Sequence, residues 1–281
     1  DAVHRFSLLF GALVHDLGHP GVNNSFLIET SSQMALQFND TNVLEAFHVS
    51  TCFQILAMPE YDLFAALEMD EKSKIRTVMI DLILATDLAD HFSSLKEIQA
   101  TLQCPGIKAA APFLEVGGIA GTDELKGFNL SAELTGAEQS ALGKLILKSA
   151  DIGHPSRDFH VHCEWSRRAS EEFWRQGDRE RRLGLPVNPM NDRQKKAGIA
   201  KGQMGFLSFL VAPTQLLLRS VVGHNKLERL HSNLRSNYQY WARLHTQRHG
   251  LVEQEVPHPL RDNDVHLLNA VWQLNLLDLA R

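Results

Sequence analysis

The stretch Thr135-Gly-Ala-Glu-Gln-Ser-Ala-Leu-Gly-Lys-Leu-Ile-Leu-Lys-Ser-Ala-Asp-Ile-Gly-His-Pro155 decides the fold class. Leu142, Leu145 and Ile146 recur at i, i+3 and i+4, the period of one helix face. Ahead of them, Thr135 and Glu138 stand in the capping-box spacing, each side chain placed to bond the other residue's backbone N–H. Gly153 and Pro155 then stop the helix. Residues 75–84, 165–174 and 203–211 have the same helical character, and no run of strict alternation argues for a strand. The expectation is an all-α protein.

Composition narrows the function classes. The 281 residues carry 28 Lys and Arg against 33 Asp and Glu, a net charge of -5, which argues against nucleic-acid binding or a polybasic membrane surface. The longest apolar runs, around 8–14 and 206–212, are shorter than the roughly 18 residues that span a bilayer. No signal peptide is visible. Three widely spaced cysteines, Cys52, Cys104 and Cys163, suit reduced thiols in the cytoplasm rather than a disulfide frame. The start on Asp1 reads as a fragment.

Punctuation falls at Pro59, at 104–129 and at 183–193. The middle stretch reads as a surface loop inserted in one domain spanning 1–281, because histidine and acid motifs lie on both sides of it. Residues 223–250 mix five basic residues with four histidines. That pattern reads as a solvated helix face, with a contact surface for an acidic partner as the other reading.

Five groups could carry chemistry. His15-Asp16 at a helix end can put a ring nitrogen and a carboxylate on one metal, and His19 shares that face if the helix continues. Asp151 ends an apolar helix where the chain turns, as a ligand or as a plain turn former. Thr86-Asp87 sits late in another apolar helix, either as hydrogen-bonded core or as a site wall. Glu45 stands three after Asn42, which fits a second capping box, or it is a carboxylate that orients a catalytic histidine. Gln203 and Phe206, one turn apart, pack in the core or read a planar ligand by edge and face.

Taken in order, these groups resemble the catalytic domain of the class I 3′,5′-cyclic nucleotide phosphodiesterases. The landmarks are His15-Asp-Leu-Gly-His-Pro-Gly-Val-Asn-Asn-Ser-Phe26, Phe38-Asn-Asp-Thr-Asn-Val-Leu-Glu45 and Leu84-Ala-Thr-Asp-Leu-Ala-Asp-His91. They continue with Ala150-Asp-Ile-Gly-His-Pro155, Glu171-Glu-Phe-Trp-Arg-Gln-Gly-Asp178 and Lys201-Gly-Gln-Met-Gly-Phe206. The match runs from Leu8 to about Leu217, and residues 218–281 follow as loosely matched helices. The wording is nearest to the calmodulin-dependent, dual-substrate subtypes.

The resemblance implies a compact multi-helix metal phosphohydrolase of the His-Asp type with two divalent ions, Zn2+ and Mg2+ or Mn2+. His15, Asp16 and Asp151 match three of four protein ligands. His19, Glu45 and Thr86 match residues that hold metal-bound waters, with Asp87 and Asn24 in lesser roles. A hydroxide shared by the two ions attacks phosphorus in line, and cAMP or cGMP becomes the nucleoside 5′-monophosphate. Gln203 matches the purine-selective glutamine, Phe206 the stacking ring, and His154 a position that suits both bases. A regulatory domain, a dimer partner and membrane attachment through missing regions are compatible with the family.

Departures point the other way. The family's fourth ligand histidine and its general-acid histidine precede the His-Asp pair by more residues than this chain has, and His4 is too close to replace either. The fragment alone is therefore expected to be poorly active, since general acid-base assistance contributes typically ~10²–10⁴-fold. Ala46-Phe47 replaces Asn-His, and Ala169 stands where relatives place a larger aliphatic. The alternatives are a nucleotide-binding pseudoenzyme and another His-Asp phosphohydrolase, although the latter has no reason to keep Gln203 and Phe206.

Overall fold

In a computed structural model of the chain, Asp1 caps the first helix by accepting the N–H of His4 at 2.8 Å. The structure describes residues 1–104, 114, 133–194, 199–223 and 226–248, so most of the expected loop 104–129 and all of 249–281 lie outside the described residues. The elements in chain order are α1 (Ala2–Val14), α2 (Asn24–Glu29), α3 (Gln33–Gln37), α4 (Val43–Leu56), α5 (Met69–Leu84) and α6 (His91–Thr101). They are followed by α7 (Gly136–Asp151), α8 (Phe159–Arg182), α9 (Ile199–Phe206), α10 (Ala212–Val222) and α11 (Glu228–Arg248). Among the described residues there is no strand, and the all-α expectation holds.

The decisive stretch folds as read. Thr135 accepts the N–H of Glu138, and the Glu138 carboxylate accepts the N–H of Thr135 at 2.8 Å. Each bond uses a donor that a helix start would otherwise leave unpaired. The helix runs to Asp151, and Gly153 makes the exit possible: a Cβ there would stand 2.6 Å from the Ser149 carbonyl oxygen. Such an approach excludes every residue but glycine, so the chain turns at once into the short 3-10 turn His154–Ser156.

Among the described residues four apolar clusters hold the helices, one of them joining α2, α3 and the start of α4 around Leu27, Ala35 and Val43. α1, α4 and α5 meet around Val14, Cys52, Met79 and Ile83. α6, α7 and α10 meet around Leu95, Leu145, Leu217 and Val221. α9, α10 and α11 close over Ile152, Leu207, Val211, Leu234 and Trp241. α7 is the shared element, touching α1 and α5 on one side and α6 and α10 on another.

α9, a π turn at Leu207–Val211 and α10 form one continuous 24-residue helix, Ile199–Val222. The break in register has a cause, because Pro213 has no N–H to give the carbonyl of Phe209 one turn back. This helix is long and apolar enough to cross a membrane, which counting uninterrupted apolar runs had not suggested. More than half of its most apolar 18-residue stretch is buried inside the protein, and its Arg219 is buried too, as suits the central helix of a folded core.

Candidate active site

α1 ends at Val14, so His15 is its C-cap and not an interior residue. The helix does not continue to His19 as the spacing allowed. Gly18, at φ 75°, turns the chain instead, a conformation that glycine adopts without strain. A Cβ on Gly18 would also meet the Phe47 ring at 3.1 Å, so Phe47 fills the space beside the turn. His19 accepts the N–H of Gly21 at 3.0 Å and stacks on His48 with ring centroids 5.7 Å apart.

The three expected ligands converge. His15 donates its Nδ1 hydrogen to the carbonyl of Ala12 at 2.9 Å, which turns Nε2 towards the carboxylates. That nitrogen lies 3.4 Å from an oxygen of Asp16 and 3.4 Å from an oxygen of Asp151. Ligand atoms of the three residues all fall within 4.8 Å of one another. Asp151 holds the His15 imidazolium up to about 9, chiefly by hydrogen bonding, with burial opposing it. A cation competes with that proton for the same lone pair. One imidazole nitrogen and two carboxylates, with the other ring nitrogen fixed by a carbonyl, are a donor set that fits a divalent ion. The Asp16 side chain is 63% exposed, so the cluster opens to solvent.

Around this cluster, Asn24 accepts the N–H of Leu44 at 2.9 Å and donates to the Glu45 carboxylate at 3.0 Å. Burial raises the pKa of Glu45, Asn24 pulls it down, and the charges of Asp87 and Asp16 push it up again. Those two carboxylates therefore share a field with Glu45. The capping-box reading of Asn42 fails. Asn42 adopts a left-handed conformation without capping α4, and its amide donates to Asp87 at 3.0 Å, 45 residues away. Thr86 and Asp87 are not in the helix but just past its end at Leu84, where the Thr86 hydroxyl donates to the Ile83 carbonyl at 2.7 Å.

The ring half of the site begins three residues after Asp151. His154 stacks on Phe206 with centroids 5.8 Å apart and planes 21° from parallel. Gln203 joins them through Ser166, whose hydroxyl donates to its Oε1 at 3.3 Å. His154 Nδ1 faces His162 Nδ1 at 3.1 Å, and Trp241 donates its indole N–H to His162 Nε2 at 2.7 Å. Burial pushes His162 down to about 3 and His154 to about 4, so both rings are neutral.

The structure thus brings His15, Asp16 and Asp151 together, with His19 beside them through His48 and Glu45 within the field of Asp16. His154 and Phe206, with Gln203 reached through Ser166, form a second group, and Thr86 is held by the Ile83 carbonyl next to Asp87. Sequence reasoning missed five neighbours. His48 donates to the Leu17 carbonyl at 2.8 Å and turns its other nitrogen towards Asp16. Lys148 sits inside an apolar helix, while Ser166 and His162 share a face one turn apart. Trp241 comes from the helix read only as a basic face, and nothing in the local sequence marks it.

The chain belongs to the 3′,5′-cyclic nucleotide phosphodiesterase family, which it matches over residues 1–234. It is 34% identical over 219 residues to the dual specificity calcium/calmodulin-dependent 3′,5′-cyclic nucleotide phosphodiesterase 1B of Mus musculus. That alignment takes in 78% of this chain and 35% of the mouse protein. The probable 3′,5′-cyclic phosphodiesterase pde-1 of Caenorhabditis elegans is 34% identical over 211 residues, covering 75% of this chain and 27% of the worm protein. The chain therefore spans about a third of the length of such relatives. Among solved structures, the phosphodiesterase domain of the RhoPDE fusion protein from the choanoflagellate Salpingoeca rosetta superposes with a TM-score of 0.72 at 27% identity, over 89% of this chain and 71% of that one. LmjPDEB1 in complex with IBMX gives 0.72 and 27% as well, over 87% and 66%.

Proposed function

We propose that this chain carries the centre at which a 3′,5′-cyclic nucleotide is hydrolysed to the nucleoside 5′-monophosphate. The observation that carries the reading is the junction at Asp151–His154: a His/Asp cluster with the donor set for a divalent ion and a stacked ring pair, joined by a single tight turn. A 3′,5′-cyclic nucleotide joins a phosphate and a purine in one small ligand. The likeness to relatives named dual specificity supports cAMP and cGMP together as substrates.

His15, Asp16 and Asp151 would hold the tighter of two divalent cations, Zn2+, with Asp16 shared by a second, Mg2+ or Mn2+. When bound, such ions supply Lewis-acid stabilisation of phosphate oxygens and lower the pKa of water. The Ala12 carbonyl keeps the His15 ring in one tautomer, and Asn24 keeps Glu45 aimed at the cluster. His19, Glu45 and Thr86 line the water-bearing side. Phe206 offers a ring face to the base, while the Gln203 amide presents a donor and an acceptor to its edge. A water oxygen bonds to phosphorus as the P–O3′ bond breaks; the water loses a proton and the 3′ oxygen gains one, and among these 281 residues no histidine matches the family's donor. Turnover by these 281 residues alone is therefore slow. The unpaired thiols of Cys52, Cys104 and Cys163 support a cytoplasmic location.

The test is release of 5′-AMP and 5′-GMP from cAMP and cGMP by metal-stripped protein given Zn2+ and Mg2+. It is run with and without any residues encoded ahead of Asp1. The expected result is metal-dependent formation of 5′ products, faster in any longer form and reduced to background by Asp151→Ala. Binding of cyclic nucleotide without turnover in every form would make the chain a pseudoenzyme instead.

A further inference from the structure

Among the described residues, Lys148 is the only buried lysine, 2% exposed. Enclosing an ammonium costs several kcal/mol unless hydrogen bonds and opposite charges offset it. Here they do. The Nζ donates to the Ala85 carbonyl and, at 3.4 Å, to the Asp87 carbonyl. Burial lowers the pKa of Lys148, while Asp151, Asp87, Asp90 and Glu45 all act to keep its charge. Lys148 precedes Asp151 by three residues on α7, so the two lie on one face of that helix. Its side chain thus reaches from the helix that carries a ligand carboxylate to the turn that carries Thr86.

We propose that Lys148 is a positioning residue of the metal centre: its ammonium grips the carbonyls on both sides of Thr86 and fixes that turn to the helix carrying Asp151. The inference rests on reading His15, Asp16 and Asp151 as a metal centre. Its content is geometric, and the sign of the effect separates it from plain electrostatics. A fixed positive charge beside four carboxylates repels an incoming cation, so removing it without disturbing the turn tightens metal binding. Releasing the turn loosens the groups around the metal and weakens binding.

Mn2+ titration of the metal-stripped chain, followed by electron paramagnetic resonance, measures the sign. In Lys148→Met, the Mn2+ dissociation constant rises about tenfold or more, the usual scale for losing a group that supports metal ligands. Lys148→Arg keeps the charge and both donors, and its constant stays within about threefold of the parent. Amide hydrogen exchange at Thr86 speeds up in Lys148→Met but not in Lys148→Arg. Equal or tighter Mn2+ binding by folded Lys148→Met would overturn the proposal, as would faster Thr86 exchange in Lys148→Arg. Should Lys148→Met fail to fold, the Lys148→Arg exchange rate and affinity decide alone. If the parent chain takes up no Mn2+, the metal-centre reading fails, whereas Thr86 exchange still reports whether Lys148 holds the turn.

Discussion

Trp241 shows how much one hydrogen bond can set. Its indole N–H can only donate, so His162 Nε2 must accept, and the single proton of that neutral ring sits on Nδ1. The Nδ1 hydrogen then faces His154 Nδ1, which accepts it and keeps its own proton on Nε2. A residue 87 positions away from His154 in the chain therefore fixes which hydrogen His154 presents beside Phe206. Trp241→Phe removes the donor and leaves a buried acceptor unpaired, at a cost of about 1–3 kcal/mol in stability. The imidazole nitrogen-15 shifts of His154 and His162 should change from one tautomer each to a mixture. Identical tautomers in parent and variant would mean that Trp241 only packs.

At the scale of elements, what could be read from the sequence depended on how local the cause was. The Thr135–Glu138 box needs only four residues of sequence, and it formed as read. Asn42 and Glu45 have the same spacing, yet Asn42 spends its amide on Asp87 and Glu45 its carboxylate on Asn24. Both partners are distant in sequence, so no local rule could prefer them. His19 shares the face of His15 only on a helix that continues, and Gly18 at positive φ with the bulk of Phe47 beside it turns the chain instead. The convergence of His15, Asp16 and Asp151 could be anticipated because a His-Asp pair and a helix-terminal Asp recur in that order among the other landmarks. Lys148 could not, because a lysine in an apolar helix ordinarily reaches outward, and only the fold shows carbonyls waiting on the inside. The long apolar helix Ile199–Val222 hid behind its glycines and polar residues, which interrupt the run without interrupting the helix.

Across the whole molecule, a set of enclosed imidazoles ties stability to pH. His91, His162 and His231 are each 0% exposed, and burial pushes them down to about 4, about 3 and about 4. Above about pH 6.5, the unfolded value, folded and unfolded rings are both neutral and nothing is lost. As pH falls below that value, the unfolded chain binds protons that the folded core refuses, so stability drops towards pH 4. At pH 5 the loss is up to about 2 kcal/mol for each ring. The melting temperature should accordingly fall by about 5 °C or more between pH 7 and pH 5, measured by circular dichroism. A flat or rising profile would mean that the core admits the charged rings.

The same architecture brings the ends of α1 and α7 together, and everything proposed about chemistry depends on that meeting being a metal centre. The direct measurement is the zinc content of the purified chain after dialysis against metal-free buffer, compared with Asp151→Ala. The account predicts about one firmly held zinc per chain, lost in the variant while its helical circular dichroism is unchanged. Equal zinc in both proteins, or none in the parent, would contradict it.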